Sequence, residues 1–190
     1  MTRLRFTVGG STFDADERRG SVAATFEQRL SNRWTLDATA GVSAPGTLRP
    51  PAQSFDISPG GLGAVAVSYR PLDDRGSQPF VLLSLAAAAS YATTSPTRTT
   101  GSSEALVATD VRLGVTAGKT IARVMTPYLA ARVFGGPVLW TYAGQSATGT
   151  DAYHYPVGGG FSLALGRVDV HMEVAPLGER SLAAGAGLAF

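Results

Sequence analysis

Residues 181–190 read Ser-Leu-Ala-Ala-Gly-Ala-Gly-Leu-Ala-Phe, and they alternate strictly between two kinds of side chain. One alternate set is apolar and ends in an aromatic ring; its members are Leu182, Ala184, Ala186, Leu188 and Phe190. The other set contains only small residues; its members are Ser181, Ala183, Gly185, Gly187 and Ala189. A period of two is typical of a β-strand with two different faces. The stretch therefore predicts a strand with one apolar face and one face of small residues.

The same stretch carries a pattern at its end. Phe190 is preceded by Leu188 two positions earlier and by Gly185 five positions earlier. This arrangement resembles the terminal signal strand of bacterial outer-membrane β-barrels. The resemblance implies an outer-membrane location, surrounding outer-membrane lipid and insertion by the barrel-assembly machinery, with these three residues as the assembly signal. It also implies export, so we expect that a leader has been removed and that Met1 was added in its place.

Composition narrows the class of protein. The chain has 190 residues, which predicts a single domain over residues 1–190, and only 16% of them are charged, against about 25% in typical soluble domains. The absence of Cys excludes disulfides, thiolate nucleophiles and Cys-based metal sites. A net charge of +2 without long basic runs argues against a nucleic-acid partner. No apolar run approaches the roughly 20 residues of a membrane-spanning helix, and we expect no cofactor.

Alternating segments recur along the whole chain. Ten of them are recognised, at residues 2–13, 21–30, 34–43, 62–70, 79–91, 104–118, 127–142, 153–165, 168–174 and 181–190. Short connections follow the even-numbered segments, and longer ones mostly follow the odd-numbered segments. Outer-membrane barrels have an even number of strands, short periplasmic turns and longer outer loops. The pattern therefore predicts an all-β fold, a transmembrane antiparallel up-and-down β-barrel of ten strands.

Aromatic side chains gather near both ends of these segments. Trp34 and Tyr69 lie beside the short turns. The set beside the long loops is Tyr91, Trp140, Tyr142, Tyr153 and Tyr155. Two aromatic belts are expected at the two interfaces of a membrane. Phe80 and Tyr128 fall on the polar face by strict alternation, so each requires either a bulge or an inward-pointing ring.

The face opposite the apolar one collects charges of both signs. Its members are Arg3, Arg5, Glu27, Arg29, Asp37, Arg70, Asp110, Arg112, Arg132, Asp169, His171 and Glu173. Because the apolar side chains lie on the face opposite these charges, the alternation favours a barrel with its apolar face towards lipid and a network of ion pairs in its lumen. Buried charges are tolerated when they are paired and hydrogen-bonded. We expect this lumen network to close a narrow barrel, with inward Gly residues leaving room for the long side chains.

Catalytic interpretations are weaker than this structural one. His171 lies on one strand face with Asp169 and Glu173, but neighbours on one face of a strand are more often structural than catalytic. Omptin proteases are ten-stranded barrels with Asp–His pairs at the outer rim, and this chain offers Asp151 and His154 on that side. The chain is considerably shorter than an omptin, however. No metal-ligand spacing is found, and we do not expect an enzyme.

The functional prediction is a small outer-membrane barrel that acts as a structural anchor or docking component of a cell-envelope assembly. Its lumen is expected to be closed, so that contacts with other envelope proteins fall to the long loops at residues 44–61 and 93–103, because function concentrates in such loops. A narrow porin-like channel for small solutes or ions is the alternative. An omptin-like outer-membrane hydrolase is the third and weakest interpretation.

Overall fold

The computed structural model describes residues 2–97, 103–142 and 144–188, and these form a single fifteen-stranded antiparallel assembly without helices. The strands are β1 Thr2–Val8, β2 Ser11–Arg18, β3 Ser21–Arg29, β4 Trp34–Ser43, β5 Gly46–Arg49, β6 Phe55–Ile57, β7 Gly60–Leu72, β8 Phe80–Pro96, β9 Glu104–Gly118, β10 Met125–Gly135, β11 Val138–Tyr142, β12 Gln145–Asp151, β13 Pro156–Leu165, β14 Val168–Gly178 and β15 Ser181–Leu188. In these ranges no helix has the length and apolar character needed to cross a membrane.

Eight of the strands close into a ring, which we call the cap barrel. Around the ring the order is β8, β9, β11, β12, β1, β2, β5 and β6, and β6 pairs back to β8. Besides pairing with each other, β8 and β9 each contribute only one end to the cap. Thr94 to Pro96 of β8 pair with β6, and Leu106 to Ala108 of β9 pair with β11. The cap is thus a closed antiparallel barrel built largely from short strands.

The remaining length of β8 and β9 belongs to a second unit, which we call the main sheet. Its nine strands lie in the order β3, β4, β7, β8, β9, β10, β13, β14 and β15, all antiparallel to their neighbours. The end at which β3 begins and the cap lies is called the cap end. The other is called the turn end, because it carries the connections at residues 30–33, 73–79, 119–124 and 166–167.

An apolar core fills the cap barrel. The rings of Phe6 and Trp140, which are 0% and 2% exposed, lie with centroids 5.3 Å apart, and Phe55 meets Trp140 edge-on at 5.0 Å. The indole Nε1 of Trp140 donates a hydrogen bond to Thr94 Oγ1 at 2.8 Å, which satisfies its one polar group. At Gly149 a Cβ would approach the Phe6 ring to 2.6 Å, so glycine is required for this packing.

The main sheet shows the predicted alternation of two faces. Along β4, Leu36, Ala38 and Val42 are exposed on the outer face, whereas Asp37 and Thr39 on the inner face are partly buried. The same alternation of exposed and less exposed positions continues through β8 and β9. Large apolar side chains therefore point away from the concave interior, and small or polar ones point into it.

The prediction of an all-β antiparallel barrel is confirmed, but the closed ring differs from the expected one. The predicted first strand, residues 2–13, is instead the β1–β2 hairpin. Gly9 and Gly10 have φ values of 55° and 85°, the left-handed conformation that two-residue hairpin turns favour. The predicted seventh strand is divided between β10 and β11 at Gly135 to Pro137, where an interruption was expected. The long loop at 44–61 supplies β5 and β6 to the cap.

Candidate functional site

The strongest polar cluster on the inner face of the main sheet joins β10 to β14. Both terminal nitrogens of Arg132 donate to the carboxylate of Glu173, one at 2.8 Å and one at a shorter distance, and Tyr128 donates its hydroxyl to the same carboxylate at 3.2 Å. Gly160 on β13 lies between them in register, and a Cβ there would meet the Tyr128 hydroxyl at 2.8 Å. Because Gly160 has no side chain, the side chains of β10 and β14 can meet over β13.

A second cluster lies on β9. Asp110 and Arg112 form an ion pair at 2.7 Å along one face of the strand, and the guanidinium of Arg112 stacks 5.1 Å from the Phe134 ring. Towards the turn end, Arg70 stands 5.9 Å from the Phe80 ring. Phe80 and Tyr128 thus adopt inward-pointing rings, one of the two solutions that the alternation required.

Two of the predicted lumen carboxylates stand opposite each other without a cation. Glu27 and Asp37 are direct partners in the β3–β4 register, and no ion pair to either is found within residues 2–97, 103–142 and 144–188. Arg29 follows Glu27 on the exposed edge strand β3. Like charges placed directly across two strands destabilise the pairing.

On β14 the other predicted residues are exposed. The ring of His171 covers Gly185 of β15, where a Cβ would lie 2.5 Å from the imidazole, and Asp169 pairs in register with Gly187. His171 and Glu173 are near enough for their charges to interact. Small residues on β15 therefore accommodate the imidazole.

Arg3 and Arg5 lie away from the inner face of the main sheet, which differs from their predicted lumen position. Both pair with Asp14 on the outside of the cap, at 3.3 and 3.0 Å, and their side chains are 51% and 58% exposed. The pairing with Arg5 lowers the pKa of Asp14. The reason for the difference is that Leu4 and Phe6, on the opposite side of β1, enter the apolar core of the cap.

A cavity of about 750 Å³ lies between the cap barrel and the cap end of the main sheet. Its lining is mixed, with apolar groups from Leu4 and Phe134 and carboxylates from Glu17, Asp110 and Asp151. Burial, together with nearby negative charges, raises the pKa of Asp151 to about 6. Burial also raises the pKa of Glu17, although its ion pair with Arg19 opposes the shift. The sequence pattern gave no signal of this cavity, because its lining comes from segments distant in the chain.

A separate ion pair fastens two connections at the turn end. Lys119 contacts the Asp74 carboxylate and donates to the carbonyl oxygens of Gly76 and Gln78, at 2.6 and 3.1 Å. Asp74 also accepts a bond of 2.7 Å from the backbone nitrogen of Thr120. These bonds lower the pKa of Asp74 to about 2. The pair joins the connections that follow β7 and β9.

The aromatic residues are distributed differently from the prediction at one position. The rings of Trp34 and Tyr69 contact each other in a tilted arrangement at the turn end, with centroids 4.7 Å apart, and Tyr91, Tyr153 and Tyr155 are exposed nearer the cap. Trp140 is instead buried in the cap core. The side chain of Tyr142 lies outside the described residues, as do Phe190 of the predicted signal and residues 98–102 of the loop predicted at 93–103. The first part of that predicted loop is strand instead, because β8 continues to Pro96.

The described residues do not assemble a metal site, since no group of three His, Asp or Glu side chains in residues 2–97, 103–142 and 144–188 has suitable geometry. His154 lies close enough to Asp151 to lower the pKa of that carboxyl, but burial and the neighbouring carboxylates raise the pKa by more.

Comparison with protein-family models, with curated proteins and with solved structures finds no match to this chain.

Proposed function

We propose that this chain is an outer-membrane β-barrel protein whose main sheet lies in lipid. The carrying observation is the outer face of that sheet, where large apolar side chains are exposed on every strand. Members of this face are Val22, Phe26, Leu36, Val42, Val65, Leu83, Leu85, Val111, Leu113, Val115, Leu129, Val133, Val157, Phe161, Leu165, Val170, Met172, Val174, Leu182 and Leu188. Val22 and Leu129 are 77% and 73% exposed.

Such a surface is unusual for a protein in water. Soluble monomers rarely expose a contiguous apolar patch larger than about 300–600 Å². The strands also have suitable lengths, because a transmembrane strand needs about 9–11 residues, and β4 has 10 and β9 has 15. Trp34 and Tyr69 at the turn end, with exposed tyrosines nearer the cap, supply aromatic groups for both interfaces.

The proposed role is an anchor or docking component of a cell-envelope assembly. Arg132 with Glu173, and Arg112 with Asp110, hold polar bridges on the inner face, and the cap barrel stands over one end of it. An interior closed in this way would leave the surfaces of the cap and the turns for contacts with other envelope proteins. Delivery to the membrane would use the barrel-assembly machinery, which reads the terminal strand.

A narrow channel is the second candidate. The cavity of about 750 Å³ under the cap and the small inner-face residues, such as Ala86, Ala88 and Gly114, favour it. A displaced cap would leave an open path lined by these small residues.

The test is folding of the urea-unfolded chain into phosphatidylcholine vesicles, followed by flotation and extraction at alkaline pH. We expect the chain to float with the vesicles and to resist extraction. A chain that stays in solution as a folded monomer and does not float contradicts membrane insertion. Planar-bilayer recordings then separate the two roles: absence of stable steps agrees with the anchor, and reproducible steps agree with the channel.

A further inference from the structure

The main sheet ends in two unpaired edges that run in the same direction. Each strand is antiparallel to its neighbour, and nine strands place β3 and β15 parallel, both running from the cap end to the turn end. Neither edge is covered by another strand within the described residues. An antiparallel barrel closes only with an even number of strands, so one strand antiparallel to both edges would close this sheet. We call the opening between β3 and β15 the seam.

Two carboxylates on the inner face beside the seam have no ion-pair partner among the described residues, although Arg29 lies two residues from Glu27 on the same strand. Glu27 on β3 faces Asp37 on β4, and the ion pairs of the described residues leave both carboxylates uncompensated. On the other side of the seam, β15 presents Ala183, Gly185 and Gly187 as small inner-face residues. A strand entering the seam therefore has space for long inward side chains, and cations on it would be stabilised.

One strand of the chain has the matching pattern. β1 alternates between Arg3, Arg5 and Thr7 on one face and Leu4, Phe6 and Val8 on the other. In the cap only its apolar face is buried, and both arginines share the single carboxylate of Asp14. Placed in the seam with its apolar face outward, in line with Val22 and Phe26 of β3, this strand would direct its arginines towards Glu27 and Asp37.

We propose that β1 is an exchangeable strand with two positions, and this rests on the membrane location proposed above. In water it completes the cap barrel, where Leu4 and Phe6 are shielded. In lipid it inserts between β3 and β15, where Arg3 and Arg5 neutralise Glu27 and Asp37, and a ten-stranded barrel closes. Residues 9–20 connect β1 to β3 and include β2, so the transfer also releases β2 from its pairing with β5; the freed connection spans up to about 40 Å when extended.

The surroundings determine which position is favoured. In water the seam position would expose Leu4, Phe6 and Val8 to solvent, and apolar burial favours the cap. In lipid the same side chains meet hydrocarbon, whereas open sheet edges cannot be hydrated there and must be paired. The exchange thus moves each face of β1 to a suitable environment in both states.

Because the chain has no Cys, introduced disulfides report the position of β1 without interference. Thr7→Cys with Thr148→Cys joins direct partners of the β1–β12 register and reports the cap position. Thr7→Cys with Thr25→Cys, and with Ala23→Cys one step along the inner face, reports the seam position. We expect the first disulfide in lipid-free buffer. In vesicles its yield should fall at least tenfold, and a seam disulfide should appear.

Flotation is scored first, so that the two proposals fail separately. Chains that float, keep the Thr7–Thr148 disulfide and form neither seam disulfide overturn the strand exchange and leave the membrane proposal standing. Chains that do not float overturn both. As a charge control, Arg5→Glu should reduce the seam disulfide severalfold, and Glu27→Arg in the same chain should restore it. Failure of this restoration overturns the assigned role of the arginines.

Discussion

Truncation of Phe6 distinguishes the cap core from the lipid-facing position that alternation alone predicts. Phe6 is fully buried, its ring lies 5.3 Å from Trp140 and 5.8 Å from Phe13, and it rests on the backbone of Gly149. Replacing a buried Phe by Ala costs about 3–5 kcal/mol. We take about 4 kcal/mol for Phe6→Ala, because ring partners lie on more than one side.

The assay uses the two tryptophans of the chain. Trp34→Phe leaves Trp140 as the sole indole, so its fluorescence during urea unfolding in lipid-free buffer reports the cap. With a slope of about 2 kcal/mol per molar urea, the loss shifts the midpoint down by about 2 M. Phe26→Ala is the matched control, since Phe26 is exposed on the outer face and its truncation should change stability by no more than about 0.5 kcal/mol. Equal midpoints for Phe6→Ala and the parent would refute the placement of Phe6 in the core.

Further predictions test the main sheet and the cavity. Val170→Arg on the outer face should cost about 2–4 kcal/mol of folding free energy in vesicles if it lies near the membrane centre, whereas His171→Arg on the inner face should be mild; equal costs by urea titration would reverse the assigned faces. Gly160→Leu should break the polar bridge above it and lower the unfolding midpoint, and an unchanged midpoint would contradict the close contact. Because the folded pKa of Asp151 is raised from 3.8 to about 6, the folded state binds the proton more tightly and stability falls as pH rises between these values; Asp151→Asn should reduce this fall in urea titrations at pH 4 and pH 7, and leave the part that the raised pKa of Glu17 contributes. Deletion of Phe190 should remove the chain from outer-membrane fractions while sparing refolding into detergent, and normal membrane levels would contradict the signal.

Much of the main sheet could be predicted because the alternation of side chains along a strand shows which residues share a face. In residues 34–43, Leu36 and Val42 alternate with Asp37 and Thr39, and the structure places the first pair outside and the second pair inside. A shift of one residue would exchange all of these environments at once, so the pattern specifies the strand strongly. The same reasoning anticipated that the rings of Phe80 and Tyr128 need special accommodation.

The partners of Arg132 and the place of β1 could not be read in this way. Arg132 of β10 meets Glu173 of β14 across the intervening strand β13, and the two residues are brought together only by the β10–β13–β14 register. In β1 the alternation identifies two faces but not which one is inside. Leu4 and Phe6 are compatible with an apolar protein core and with lipid, and the strands that lie beside β1 determine which environment they occupy.

An all-β chain with apolar and polar faces follows from the amino-acid pattern alone, because alternation with a period of two is a local property of a strand. Three features are visible only in the folded chain: eight strands close as the cap, β3 and β15 remain as edges, and Asp151 lies beside a cavity. These features depend on pairings between residues far apart in the chain. Such pairings are selected by the combined packing, hydrogen bonding and charge of the whole assembly, which no single segment encodes.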